Sequence, residues 1–486
     1  MTFTSLSFIG FFFATTVLYY TVPQRFQWVF LLVASNIFYF FIMPAFLPLL
    51  WLLILINFFA AKKLDTLTGE RKKGFIILLV IFNIGLLVLK YFKFFPQFFS
   101  PLDIHFQQDP FAETVLFPVG LSYFIFTVMS YLFEVKAGHI KPENHLGIFA
   151  TYLLFFPKIV QGPIERPQSC LTQFHDPKSL SFDNITEGSK LMVWGFFKKM
   201  VIADRLGIFV NDIYSNPHQH NGTTLAVVII FFSFQIYADF SGYTDIALGT
   251  AKVLGFNLTN NFRRPFFSTS IKDFWQRWHI TLSFWLRDYI FLPLAYFFSR
   301  KLKKETYLNI KTDQIIYSGA IFITFFICGV WHGKEPTFML WGISFAVLLI
   351  WERMMGKPFK KLRSLIGISK NSGLHKTFKI FLTFILVSLI MVFFRSETVS
   401  DAFYIIRKAF SGGGTIYYPD LQCFLYCCLG IGILMTVESF QEFKTGSPLP
   451  FISKSWFREQ FVYAVLVIAI LLTGVMQGDA FLYMKY

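Results

Sequence analysis

Charged residues are scarce in this chain of 486 residues. Lys, Arg, Asp and Glu together make up 15% of it, whereas a soluble domain usually carries about 25%. Acidic residues are the scarcer sign, with 28 Asp and Glu against 44 Lys and Arg. This composition argues against an ordinary soluble globular protein.

Cysteine is also scarce, with five residues in the chain. Their spacing matches no metal-binding pattern, and Cys423, Cys427 and Cys428 lie within one apolar run. We expect these thiols to pack in a hydrophobic interior rather than to form a disulfide or bind a metal. The Walker A, GxSxG and HExxH motifs do not occur either, so the sequence carries none of these signatures of phosphate binding, hydrolysis or zinc proteolysis.

Hydrophobic residues, in contrast, make up 55% of the chain, and 67 of its residues are Phe. A membrane-spanning helix needs roughly 20 apolar residues. Runs that fit or nearly fit this length are 6–22, 27–44, 46–60, 74–89, 115–133, 223–238, 315–331, 337–351, 378–394, 421–437 and 461–476. The sequence therefore predicts an all-α polytopic membrane protein with about 11 to 14 transmembrane or re-entrant helices. The first run lacks a positive n-region and a small-residue cleavage site, which favours a membrane helix over a signal peptide.

The net charge of +16 would suit a nucleic-acid-binding protein, but its distribution argues against that function. Basic residues cluster in short loops between apolar runs, at 62–73, 300–311 and 352–379, whereas 96–114 has no Lys or Arg. Cytoplasmic loops of membrane proteins carry this excess of positive charge. The pattern places the three basic loops inside and 96–114 outside, so the N-terminus is expected outside.

One apolar run ends in a histidine, in the stretch FFICGVWHGKEPTF at 325–338. The flanking runs 315–331 and 337–351 have about 15–17 residues, or roughly 23–25 Å of helix, which is shorter than the hydrocarbon core of about 30 Å. The turn could therefore lie at membrane depth and line a wet cavity, where an ionisable residue such as His332 is a functional candidate. The alternative is a helix cap in an ordinary interfacial loop.

A second unusual stretch, 257–299, is too polar to span a membrane and too aromatic for a free loop. Read as one helix, it carries an apolar face with a histidine in it. Such an amphipathic helix lies at an interface or packs under a bundle. A membrane-surface anchor would explain the aromatics and arginines without needing the histidine. The residues on the predicted face are Trp275, Trp278, His279, Leu282 and Leu286.

A third stretch, 232–249, places Gln235 and Asp239 directly after an apolar run. A carboxylate at membrane depth is costly unless it is paired. Asp239 could therefore take part directly in chemistry, form a buried salt bridge with an arginine, or cap a helix.

These stretches together resemble the membrane-bound O-acyltransferase family. RWHITLSFWLRDYIFLPL and GVWHGKEPTFMLWG resemble the two histidine motifs of that family, and FFPKIVQGPIERP, QIYADFSGYTDIALG and LGFNLTNNFRRPF match its pattern in order. The resemblance covers most of residues 115–352, which it identifies as a catalytic core between N-terminal membrane helices at 1–114 and C-terminal membrane helices at 353–486. The length and the ending AFLYMKY resemble the alginate O-acetylase membrane-subunit branch.

The resemblance implies a ring of membrane helices around a central funnel, in the inner membrane of a bacterium. It also implies transfer of an acetyl group from cytoplasmic acetyl-CoA to an exported or cell-wall polysaccharide, through an SGNH-type acetyltransferase partner outside. No metal and no tightly bound cofactor is implied. His332 would be the general base, since the unperturbed pKa of histidine, about 6.5, lies near the working pH. His279 would orient the donor or assist proton transfer.

Further polar and aromatic residues of the motifs could bind substrate, although each also has a structural interpretation. The arginines could bind donor phosphates or lipid headgroups, the asparagines could bind substrate or form turns, and the tryptophan could shape a tunnel or fill the core. Membrane lipid is an expected partner in any case. The candidate substrate-binding residues are Trp331, Asn260, Asn261, Arg277, Arg287, Asp239 and Gln235.

Other functions remain open at this point. D-alanyl transfer to teichoic acid uses the same motifs in shorter chains. A transporter would also bury ionisable residues, but it would be favoured by an internal repeat, and the sequence has none that we detect. A non-catalytic scaffold would be favoured if His332 tolerated substitution.

Overall fold

The computed structural model describes residues 1–89, 118–365, 372–447, 451, 455–475 and 481. In these residues the chain is mostly helical, and the strands described form one short antiparallel hairpin, β1 (Thr306–Tyr307) and β2 (Ile310–Lys311). The α-helices are α1 (Leu6–Thr21), α2 (Gln27–Phe40), α3 (Leu47–Thr66), α4 (Gly69–Leu89), α5 (Leu121–Ala137), α6 (Leu146–Leu154), α7 (Pro167–Cys170), α8 (Phe182–Phe196), α9 (Asp204–Ser215), α10 (Gly222–Val253), α11 (Ile271–Trp275), α12 (Ile280–Leu286), α13 (Leu292–Lys301), α14 (Thr312–His332), α15 (Pro336–Leu365), α16 (Gly373–Arg395), α17 (Val399–Ser411), α18 (Leu421–Phe440) and α19 (Trp456–Thr473).

Several helix joints are wound as π-helix, in which the backbone hydrogen bonds span five residues rather than the four of an α-helix. These joints are Phe197–Ala203 after α8, Arg287–Phe291 after α12, and Gln441–Thr445 after α18. Such insertions are rare and frequently occur at functional sites.

The predicted apolar runs coincide with helices wherever the structure describes them. Among the described residues, seven helices are long and apolar enough to cross a membrane: Pro44–Thr66, Gly222–Val253, Thr312–His332, Pro336–Gly356, Gly373–Arg395, Leu421–Thr445 and Trp456–Thr473. The shorter apolar helix Leu6–Thr21 accompanies them. The chain is therefore a multi-pass, all-α membrane protein.

Two predicted helix ends were wrong because a helix continues past the apolar run that predicts it. Backbone hydrogen bonding does not stop where hydrophobicity stops, so polar residues extend each helix until a cap ends it. Helix α14 has 21 residues and α15 has 30, so the argument that short helices hold the turn between them at membrane depth fails. Helix α15 also fills much of the predicted loop 352–379. The predicted outer loop 96–114 lies outside the described residues.

The chain divides into two compact units. Of the described residues, the first unit contains those within 1–196 and 242–259 together with Phe481, and the second contains those within 197–241 and 260–475. All the candidate site residues predicted above belong to the second unit. A cavity of about 420 Å³ lies in the first unit, bordered by residues that include Tyr19, Arg25, Trp28 and His175, and none of the predicted site residues lines it.

Candidate active site

His332 is the last residue of α14 and is 3% exposed. Aromatic side chains surround its imidazole: the ring centroids of Trp331, Trp341 and Phe394 lie 4.6, 4.9 and 5.1 Å from it. The histidine at the end of the apolar run is therefore enclosed by protein rather than standing in an exposed interfacial loop. A low-dielectric, water-excluded position of this kind strengthens electrostatic interactions with a reacting group.

Close packing of α14 against α15 holds this arrangement. A Cβ atom on Gly329 would lie 2.5 Å from the carbonyl oxygen of Phe338, and one on Gly342 would lie 2.3 Å from that of Phe325. These two positions therefore require glycine, because any side chain would push the helices apart. The close contact brings Trp341 of α15 against His332 of α14.

His279 lies in a break between helices, which corrects the prediction of one continuous amphipathic helix. Helix α11 ends at Trp275, and His279 has φ 43°, in the left-handed region, directly before α12. The first turn of α12 is held by Asn261 instead: its carbonyl oxygen accepts the N–H of Ile280 at 2.9 Å. Its side-chain oxygen accepts the N–H of Thr281 at 3.2 Å and the hydroxyl at 2.6 Å. The helix breaks because Asn261, which belongs to neither α11 nor α12, replaces backbone bonds that a continuous helix would make.

The predicted apolar face is nevertheless buried. His279 is 1% exposed, and its ring meets Phe240 of α10 edge-on at 4.8 Å. Trp275, which precedes the break, lies 5.9 Å from Trp341, the ring that touches His332. Both histidines thus belong to regions of one aromatic core in the second unit.

The two arginines differ in their surroundings. Arg277 forms ion pairs with Asp273 at 2.8 Å and Glu442 at 3.0 Å, and Arg264 pairs with the same Glu442 at 2.8 Å. Arg287 has a side chain 54% exposed and pairs with Asp288 at 2.7 Å. Arg277 therefore stabilises the segment before His279, while Arg287 is open to a ligand or a lipid headgroup.

The two asparagines also separate. Asn261 is fully buried and supports α12 as described, which favours the structural interpretation that the sequence left open. Its side-chain nitrogen has no hydrogen-bond partner among the residues described. Asn260 is exposed.

Asp239 forms a buried ion pair, although its partner is a lysine and not the arginine considered from the sequence. Lys199 Nζ lies 2.8 Å from Asp239 and 2.7 Å from Asp204, and the three side chains are 2%, 4% and 6% exposed, in the order Lys199, Asp239, Asp204. The neighbouring Lys198 donates to the hydroxyl of Ser241 at 2.9 Å. Two consecutive lysines of the π-helical joint thus hold the segment of α10 that carries Phe240, the contact of His279.

The sequence analysis missed Lys198, Lys199 and Asp204. The signal was present in FFKKMVIADR at 196–205, where two lysines interrupt an apolar stretch. Gln235 lies one turn before Asp239 on α10 and packs against Gly207, where an added Cβ atom would come within 2.9 Å of its amide nitrogen. Its side-chain oxygen has no hydrogen-bond partner in the described part of the chain. The described residues contain no group of three or more His, Cys, Asp or Glu that could hold a metal ion.

Comparison with known proteins adds the family context. The model of the membrane-bound O-acyltransferase family matches residues 74–365. The probable alginate O-acetylase of Pseudomonas putida is 32% identical over 400 residues, which cover 82% of this chain and 77% of the relative. The peptidoglycan O-acetyltransferase of Helicobacter pylori is 28% identical over 432 residues, 83% of this chain and 77% of the relative. The teichoic acid D-alanyltransferase of Bacillus subtilis is 30% identical over 249 residues, 50% of this chain and 61% of the relative.

Proposed function

Since the chain belongs to the membrane-bound O-acyltransferase family and is an O-acyltransferase, we propose that it moves an acetyl group from cytoplasmic acetyl-CoA across the bacterial inner membrane. The final acceptor is an exported or cell-wall polysaccharide, alginate-like or peptidoglycan, which the acetyl group reaches through a partner protein outside the membrane. The observation that carries this proposal is the similarity to alginate O-acetylases over 82% of the chain. On this proposal the helices form a ring of about 11 to 14 spanning or re-entrant segments around a central funnel.

His332 acts as the general base in this proposal. An acceptor hydroxyl attacks the thioester carbon, the imidazole of His332 takes the hydroxyl proton, and the departing CoA thiolate then receives that proton. Proton transfer by a positioned side chain typically contributes a factor of about 10²–10⁴ to the rate. His279 orients the donor or assists this transfer, and an SGNH-type acetyltransferase outside the membrane passes the acetyl group to the glycan.

The remaining candidates have smaller roles. Arg287 is exposed and suits the phosphates of the donor, because a guanidinium binds phosphate oxygens in a bidentate manner. Asn260 and Trp331 contact substrate along its path. Asn261, Asp239, Gln235 and Arg277 act by supporting the segments around the two histidines.

His332→Gln is the sharpest test, because glutamine keeps polarity and approximate size but cannot take the proton. We expect O-acetyl content of the exported glycan to fall by about 10²–10⁴-fold at matched membrane protein level. His375→Gln is the control, a histidine of the same unit at the start of α16 with no proposed role. Near-normal acetylation in His332→Gln would exclude this residue as the base.

Donor identity separates acetylation from D-alanyl transfer, the second candidate function. Inverted membrane vesicles present their cytoplasmic face to added substrate, so incorporation of labelled acetyl groups from acetyl-CoA can be measured directly. The shorter match to the D-alanyltransferase, 50% of this chain, favours acetyl transfer. Incorporation from a D-alanyl carrier protein and not from acetyl-CoA would reverse this choice.

Membrane orientation is also part of the proposal, with the N-terminus and 96–114 outside and 300–311 inside, following the positive-inside pattern. Single cysteines introduced into the two loops, in a background without the exposed Cys428, would be treated on whole cells with an impermeant thiol reagent. Labelling in 96–114 alone is expected. Labelling in 300–311 alone would show that the orientation is the opposite of the one proposed.

A further inference from the structure

Two polar groups on one face of α15 have no hydrogen-bond partner among the described residues: the hydroxyl of Thr337 and the indole N–H of Trp341. Both residues are 1% exposed. Residues four apart on a helix lie on the same face, so the two groups point from neighbouring turns. Most buried polar groups in proteins are paired, and leaving one unpaired costs about 1–3 kcal/mol. Two such groups on one face are therefore candidates to bind a ligand.

This face of α15 meets the proposed base. The ring of Trp341 lies 4.9 Å from the imidazole of His332, with the two planes at 82°. Thr337 is the second residue of a helix 30 residues long. The N-terminus of a helix carries the positive end of its dipole and stabilises negative charge nearby. The two hydrogen-bond donors and the positive end of the helix dipole thus belong to the first turns of α15, the helix that contacts the proposed base.

We propose that Trp341 and Thr337 bind the carbonyl oxygen of the acyl thioester and stabilise it as it becomes an oxyanion. This inference rests on the acyl transfer proposed above. Attack by the acceptor hydroxyl turns the carbonyl carbon tetrahedral, and its oxygen accepts hydrogen bonds from Trp341 Nε1–H and Thr337 Oγ–H while His332 holds the hydroxyl proton. The carbonyl re-forms as the C–S bond breaks, and the thiolate takes the proton from His332.

The cluster formed by His332, Trp341 and Phe394 is closed to solvent, and the proposed oxyanion site depends on this closure. Phe394 is 2% exposed, and its ring lies 5.1 Å from His332 and 5.5 Å from Trp341. Both donors are therefore shut off from bulk solvent, with Thr337 and Trp341 each 1% exposed. Water is excluded from the same donors, and a preorganised donor in a water-excluded site stabilises developing charge more strongly than it would in water.

The neighbouring indole of Trp275 provides a matched control. Its N–H likewise has no partner in the described part of the chain, and its ring packs against Phe325 at 4.9 Å and Phe345 at 5.0 Å. If an unpaired indole N–H were only a consequence of aromatic packing, Trp275→Phe and Trp341→Phe would behave alike. If Trp341 acts on the oxyanion, only its replacement slows the chemical step.

The experiment measures initial rates of acetyl incorporation from labelled acetyl-CoA into inverted membrane vesicles, over a range of acetyl-CoA concentrations. Trp341→Phe keeps an aromatic ring and removes the donor, so we expect kcat to fall by up to about 10²–10³-fold with KM nearly unchanged, as for an interaction made only in the transition state. Thr337→Val should also lower kcat, and Thr337→Ser, which keeps the hydroxyl, should restore it. Trp275→Phe should remain near wild type.

The inference is overturned if Trp341→Phe retains wild-type kcat, if Trp275→Phe loses as much, or if only KM rises. The serine and valine variants of Thr337 decide the matter independently should Trp341→Phe fail to accumulate in the membrane. Failure of the proposed function has a different signature: wild-type vesicles would then incorporate no acetyl group, or His332→Gln would remain active. Wild-type transfer, an inactive His332→Gln and a fully active Trp341→Phe would refute the oxyanion site alone.

Discussion

Replacing Lys199 with methionine should destabilise the second unit more than replacing either of its partners. Lys199 bridges Asp204 at 2.7 Å and Asp239 at 2.8 Å, and all three side chains are at most 6% exposed. Lys199→Met leaves two buried carboxylates without this cation. Removing one partner of a buried pair costs about 3–5 kcal/mol. Asp239→Asn leaves Lys199 paired with Asp204, so its cost should approach that of one charge-assisted hydrogen bond, about 1.5–3 kcal/mol.

Unfolding of the purified protein in mixed detergent micelles, followed by tryptophan fluorescence, measures this difference in the free energy of unfolding. Glu70→Gln is the control, because it removes an ion pair to Lys73 in which the side chains are 85% and 64% exposed. Exposed pairs contribute no more than about 1 kcal/mol. The triple replacement of Lys199, Asp204 and Asp239 by methionine and two leucines should recover part of the loss, since apolar residues can replace a buried ionic cluster.

Two results would contradict this prediction. Lys199→Met could lower the free energy of unfolding no more than Glu70→Gln does, or Asp239→Asn could lower it more than Lys199→Met does. The same variants test the substrate-binding role first predicted for Asp239. A structural Asp239 gives loss of transfer in proportion to loss of folded protein. Full stability with lost transfer in Asp239→Asn would instead support direct contact with substrate.

Three further predictions concern other parts of the second unit. His279→Ala should lower acetyl transfer less than His332 variants do, with the protein still in the membrane, and unchanged activity at limiting acetyl-CoA would make this histidine purely structural. Arg277→Ala, which removes ion pairs to two carboxylates, should lower the free energy of unfolding by about 1.5–3 kcal/mol and leave KM for acetyl-CoA unchanged, whereas a raised KM would indicate phosphate binding. The hydrogen bond from Thr398, followed by the one from His218, lowers the pKa of Asp401, so the stability that Asp401 contributes is present above about pH 4 and is lost as the pH falls further. Hydrogen exchange in α17 should quicken over that range, and in His218→Ala the loss should be smaller and should be complete at a higher pH, because the pKa of Asp401 is then lowered less.

Membrane class and approximate spans could be predicted from the sequence because hydrophobicity is a local property. Each apolar run matched a helix wherever the structure describes it, and the scarcity of charge already required a lipid-embedded fold. The motif containing His332 could also be recognised, because its residues are contiguous. Helix ends were less predictable: α14 and α15 continue beyond their apolar runs, since backbone hydrogen bonds form through polar residues as well.

Only the tertiary structure decided how distant residues meet. The break before His279 depends on Asn261, whose carbonyl and side chain replace hydrogen bonds that the segment would otherwise make within itself. Lys199 and Asp239 are 40 residues apart, and nothing in the local pattern of either pairs them. The same holds for Trp341, which reaches His332 because Gly329 and Gly342 let two helices approach closely. Sequence determined which residues are apolar, ionisable or helical, because those properties belong to single residues and their neighbours. Packing determined which ionisable groups are paired and which buried donors lack a partner among the described residues, because pairing depends on contacts between separate elements.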